Sequence, residues 1–61
     1  MYRALMNGRD INKVYNTETL EEAASYFDSY IVGLDLGFYP VAIDRWEDDC
    51  GNNVVLIRTI E

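Results

Sequence analysis

Residues 1–61 predict an α+β domain of order ββαββ, one helix packed on one face of a small four-stranded, mainly antiparallel sheet. Three features of the chain carry that prediction. An Asn-Gly pair sits between two mixed apolar–polar runs, apolar residues recur at helical spacing from Leu20 to Ile31, and a β-branched run closes the chain from Val54. The first hairpin is read from Tyr2–Met6 and Ile11–Tyr15 around Asn7-Gly8-Arg9-Asp10. Asn and Gly both tolerate the positive φ of a type I′ turn, and a two- or four-residue loop puts Tyr2, Ala4, Met6 and Ile11 on one face.

The helix follows from Leu20, Ala23, Ala24, Phe27, Tyr30 and Ile31, which form one face at i, i+3, i+4, i+7 spacing. Thr19 with Glu22 three residues later matches a capping box, with Thr17 as an alternative cap. Glu18, Glu21 and Glu22 complement the helix dipole, and Gly33 is the expected terminator. Leu34 to Tyr39 reads as ambiguous, since it holds Gly37 close after Gly33 and precedes Pro40. Val41 to Trp46 alternates as one strand, Glu47 to Asn53 has the composition of a turn, and Val54 to Ile60 reads as an inner strand. A single helix covers one sheet face, so Val54, Leu56 and Trp46 are expected to need cover from elsewhere.

At this length one domain, 1–61, is expected, and its apolar content of 49% is enough to argue against intrinsic disorder. Eleven acids against five Lys and Arg leave a net charge of −6, which argues against direct nucleic-acid binding because phosphate contacts need clustered cations. Arg3, Arg9, Lys13, Arg45 and Arg58 are instead dispersed. No histidine is present, which removes Ser-His-Asp and Cys-His nucleophile pairs and a Cys/His zinc site. The single cysteine, Cys50, lies beside Glu47, Asp48 and Asp49, acids that disfavour a reactive thiolate. Glu47 to Asn53 offers oxygen ligands, but not at EF-hand spacing. No enzyme activity, cofactor or metal is therefore expected. No apolar run is long enough for a signal peptide or a membrane span, so a cytoplasmic location in a host cell is the expectation.

What remains is acid paired with aromatics. Glu18, Glu21, Glu22 and Asp28 are read on the outer helix face, and Glu47, Asp48 and Asp49 at the tip of the second hairpin. Tyr26, at the edge of the apolar stripe, and Trp46 are the candidate aromatic anchors, since rings with a polar tip favour interfaces. Together these nine residues form the expected partner-binding set.

In size, charge and element order, with Thr19-Leu20-Glu21-Glu22-Ala23-Ala24 between two hairpins, the chain resembles small acidic inhibitors encoded by phages and mobile elements, of the anti-CRISPR and antirestriction type. The resemblance implies a non-enzymatic DNA mimic that occupies a basic surface of a nucleic-acid-binding complex, its carboxylates standing in for phosphates. The alternative expectation is a homo-oligomeric structural or assembly module, a homodimer through the uncovered sheet face holding Val54 and Leu56.

Overall fold

A computed structural model describes residues 1–60. Strands β1 (Tyr2–Met6) and β2 (Arg9–Tyr15) precede helix α1 (Leu20–Gly33), and β3 (Tyr39–Ala42), β4 (Arg45–Glu47) and β5 (Asn53–Arg58) follow it. All pairings are antiparallel, in the order β2-β1-β5-β4-β3. The chain is therefore α+β with a single helix among the described residues, but its sheet has five strands rather than four.

The extra strand comes from Val41–Trp46, which is not continuous. Ile43 and Asp44 form a two-residue turn that brings Ala42 opposite Arg45. The Asp44 carbonyl accepts from the Leu56 amide at 2.9 Å, which ties this turn to β5. Six alternating residues fit one strand or two half-strands equally well, and only pairing with β5 decides between them. Tyr39, at the end of the ambiguous stretch, and Pro40, ahead of the expected strand, both belong to β3. Pro40 is tolerated there because β3 is an edge strand, and the register shifts at Val41.

The first turn forms as its residues dictate. Asn7 (φ 53°) and Gly8 (φ 82°) are both left-handed and join Met6 to its partner Arg9. Asn7 also clamps the neighbouring loop: its Nδ2 donates to Asn52 Oδ1 at 2.9 Å, and its Oδ1 accepts from the Asn53 amide at 3.0 Å. The irregularity between Arg3 and Leu5 in the β1–β2 register lies opposite Asn12 (φ 61°), whose amide donates to Asp10 Oδ1 at 2.7 Å.

Thr19 caps α1 from an extended backbone, its Oγ1 accepting from the Glu22 amide at 3.3 Å, and Glu22 Oε1 reaches back to the same hydroxyl at 3.5 Å. The helix ends at Gly33, but the left-handed residue is Asp35 (φ 55°), whose amide donates to the Val32 carbonyl at 3.1 Å.

The face of β5 that meets the helix is the opposite of the one expected. Val54 and Leu56 are buried beneath α1 with Ala4, Ala23, Phe27, Ile31 and Trp46, and they need no further cover. Their partners explain this. Val54 lies opposite Met6 and Trp46, and Leu56 lies opposite Ala4, all on the covered side. Val55 and Ile57 take the open face, beside Leu5 and Arg3. Because Val54-Val55-Leu56-Ile57 is apolar on both sides, its own pattern cannot say which side is inside. The homodimer face expected at Val54 and Leu56 is thus interior, and the open face is crossed by the Arg3–Asp10 ion pair at 2.6 Å.

Tyr2, Met6, Ile11 and Tyr15 edge the core, as the parity of the first hairpin requires. At its centre the Phe27 ring meets the Trp46 indole edge-on at 4.8 Å between centroids and approaches Tyr15 and Tyr30. Replacing Phe27 by Ala should cost about 3–5 kcal/mol, comparable with the whole stability of a chain this small. Urea titration followed by Trp46 fluorescence checks this: the variant should be largely unfolded, with red-shifted emission, where the parent chain is folded.

Candidate functional site

The expected site residues separate into a helix end, a loop and two members drawn inside. Glu18, Glu21 and Glu22 are exposed around the N-terminus of α1. One turn beyond Glu22, Tyr26 is 61% exposed and its ring stacks on Tyr15 at 6.2 Å with 7° between planes. That stack holds the exposed ring in one orientation, so little side-chain entropy is left to lose on binding. Burial raises the Tyr15 phenol above its ordinary pKa, with Tyr30 adding to the effect, so the ring beneath Tyr26 stays neutral.

Trp46 is not a surface anchor. It is 1% exposed, and its Nε1 donates to Asp28 Oδ1 at 3.0 Å. The same bond takes Asp28 away from the outer helix face, where it was expected. This carboxylate is half-buried and serves the one polar atom of the indole. A sequence signal for the pair existed only in general form, since a buried tryptophan needs an acceptor and the chain offers many.

The 47–49 acids also divide. Asp49 is exposed and Glu47 is half-buried. Asp48 is folded into its own loop: Oδ1 accepts from the amides of Cys50 (3.0 Å) and Asn52 (2.8 Å), and Oδ2 accepts from Asn52 Nδ2 at 2.9 Å. These donors, the Asn52 side chain foremost, hold the Asp48 carboxyl below its ordinary pKa. At Asp10 the Asn12 amide leads and Arg3 adds to the same downward shift.

The register places the two acidic groups apart. Tyr2, Tyr15 and Arg58 mark one end of the sheet, while Met6, Arg9, Val54 and the 47–53 loop mark the other. Tyr15 touches Tyr26 and Phe27, and Lys13 lies over Tyr30 at 4.0 Å, so α1 runs antiparallel to β2 and starts beyond the Tyr15 end. The helix-end acids and the loop acids therefore sit toward opposite ends of the sheet. They do not form one continuous surface.

Other candidate sites are slight. An open hollow of about 560 Å³ is lined by Met6, Asn7, Arg9, Asp10 and Ile11, and its carboxylate, Asp10, is engaged by Arg3 and the Asn12 amide. Among the described residues, no group of three or more Cys, Asp and Glu is placed to hold a metal ion, and no helix is long and apolar enough to cross a membrane. Comparison with protein-family models, curated proteins and solved structures returns no match.

Two predictions follow from these bonds. Asp28→Ala leaves the buried indole N–H without its acceptor, and a loss of about 1–3 kcal/mol is expected in urea titration. Asp10 and Asp48 have folded-state pKa values below the ordinary 3.8. Their contribution is complete above that value and is lost as pH falls through the lower folded-state values. Thermal melts should therefore show stability falling below about pH 4, with a flatter acid limb in the Asp10→Asn, Asp48→Asn double variant.

Proposed function

We propose that this protein is a non-enzymatic acidic binding protein that docks the first turns of α1, through Glu18, Glu21, Glu22 and Tyr26, on a basic surface of a nucleic-acid-binding protein complex. In this reading it is an inhibitor of the phage or mobile-element type, acting by occupancy. Its carboxylates take the place of phosphates, and the true nucleic acid is excluded while the complex lasts.

The observation that carries the reading is uncompensated charge on a rigid support. From Leu20 to Gly33 the helix holds no Lys or Arg, and the ion pair found among the described residues belongs to Arg3 and Asp10, on the sheet. The helix-end carboxylates thus face solvent from capped, ordered backbone. A cationic partner would gain steering from the field of a −6 chain and would give up little ordering entropy at the contact. The site is smaller than the expected nine residues, because Trp46, Asp28 and Asp48 are engaged within the fold and Glu47 and Asp49 lie at the far end.

Neutralisation tests this without disturbing the core. Capture of a nucleic-acid-binding protein from bacterial lysate should be strong at low salt, weaken as salt rises, and be displaced by added duplex DNA. The Glu18→Gln, Glu21→Gln, Glu22→Gln variant should bind at least about tenfold more weakly, with Tyr26→Ala adding to the loss. Capture that ignores salt, DNA and all four substitutions would refute the reading.

A further inference from the structure

Asparagine followed by glycine is chemically the least durable pair in the chain. Of the five asparagines, Asn7, Asn12, Asn16, Asn52 and Asn53, only Asn7 precedes a glycine. The others are followed by Lys13, Thr17, Asn53 and Val54, whose side chains crowd the main-chain nitrogen that would have to attack the amide. Gly8 offers no such obstruction. Nothing lies within 4 Å of where its Cβ would stand, and both Asn7 and Gly8 are exposed at the tip of the first hairpin.

The same asparagine is tied to the neighbouring loop at three points. Its backbone amide donates to the Asn53 carbonyl at 2.9 Å, and its Oδ1 accepts from the Asn53 amide at 3.0 Å. The side chain thus completes the exchange that a main-chain carbonyl makes within a strand. Its Nδ2 donates to Asn52 Oδ1 at 2.9 Å, and that bond has a fixed sense. Ionised Asp48 can only accept, so Asn52 turns its Nδ2 toward Asp48 Oδ2, at 2.9 Å, which leaves Oδ1 facing Asn7. A carboxylate at position 7 has no proton to donate there.

We propose that Asn7 is a site of spontaneous deamidation, restrained while its side chain is clamped to Asn52 and Asn53, and that its conversion releases the 48–53 loop from the first hairpin. The Gly8 main-chain nitrogen attacks Asn7 Cγ, and its proton goes to the departing Nδ2, which leaves as ammonia and closes a succinimide ring. Water then adds to either ring carbonyl and breaks its bond to nitrogen, leaving aspartate or isoaspartate at position 7. Ring closure swings the side chain onto its own main chain, so both amide atoms must first leave Asn52 and Asn53. The rate in the folded chain is therefore the rate of the free pair multiplied by the fraction of time the clamp is open. Once formed, aspartate sets a carboxylate oxygen against Asn52 Oδ1, two acceptors with no proton between them. It also adds one negative charge to a −6 chain, close to Asp48. Isoaspartate further lengthens the main chain inside the two-residue turn that sets the Met6–Arg9 pairing. The helix-end carboxylates take no part, so this site stands apart from the inhibitor reading.

Peptide mass spectrometry on the full chain, aged at neutral pH either folded or unfolded in urea, tests the proposal. In the unfolded chain Asn7 should convert before the other four asparagines. In the folded chain it should convert at least about tenfold more slowly than in the unfolded one. Asn52→Ala removes the acceptor of Nδ2, and losing one hydrogen bond from the clamp should speed conversion of the folded chain about fivefold while Trp46 fluorescence stays native. Asn7→Asp, which installs the product directly, should lower the thermal midpoint by about 4–8 °C. Conversion of another asparagine first in the unfolded chain overturns the proposal, as do equal rates in the folded and unfolded chains. So does a natively folded Asn52→Ala variant that ages no faster than the parent, or an Asn7→Asp variant that melts with it.

Discussion

Everything in this molecule hangs on how closely α1 can lie against the sheet. Ala4 on β1 and Ala23 and Ala24 on the helix are all buried, and their small side chains leave the space between the layers to two large rings. Phe27 from the helix and Trp46 from β4 fill that space edge to face, which suits the opposed charges of ring face and ring edge. A bulkier residue at Ala4 would lift the helix off both rings. With so few buried side chains, that one contact accounts for much of the apolar burial that offsets chain entropy.

The same contact reassigns polar groups that could have served elsewhere. Burying an indole leaves one N–H to satisfy, and Asp28 satisfies it from the next position along the helix. Asp48 is likewise committed, holding a tight loop against the Asn7 turn by way of Asn52. Counting acids therefore overstates how many are available to a partner. At the start of α1 the carboxylates of Glu18, Glu21 and Glu22 stay exposed, Glu22 keeping its long contact to the Thr19 hydroxyl.

Legibility differed from element to element. The hairpin at Asn7-Gly8, the Thr19 cap with Glu22, and the helix through Ile31 were readable because each rests on residues within a few positions of one another. The exposure of Tyr26 was readable for the same reason, since its angle on the helix wheel places it beside the stripe. The division of Val41–Trp46, the side of β5 that is covered and the burial of Trp46 were not. Each depends on a pairing between segments distant in the chain, such as Met6 with Val54 or Asp28 with Trp46.

By itself, the order of residues determined the first hairpin, the helix with its N-terminal cap, and the acidic sign of the net charge. Local sterics, short-range hydrogen bonds and ionisable-group counts are sufficient for those. Only the tertiary structure decided which apolar face turns inward, which ring meets solvent and which carboxylates stay unbonded. Side-chain parity reverses with a one-residue change of register, and register is set by partners that the linear chain keeps far apart.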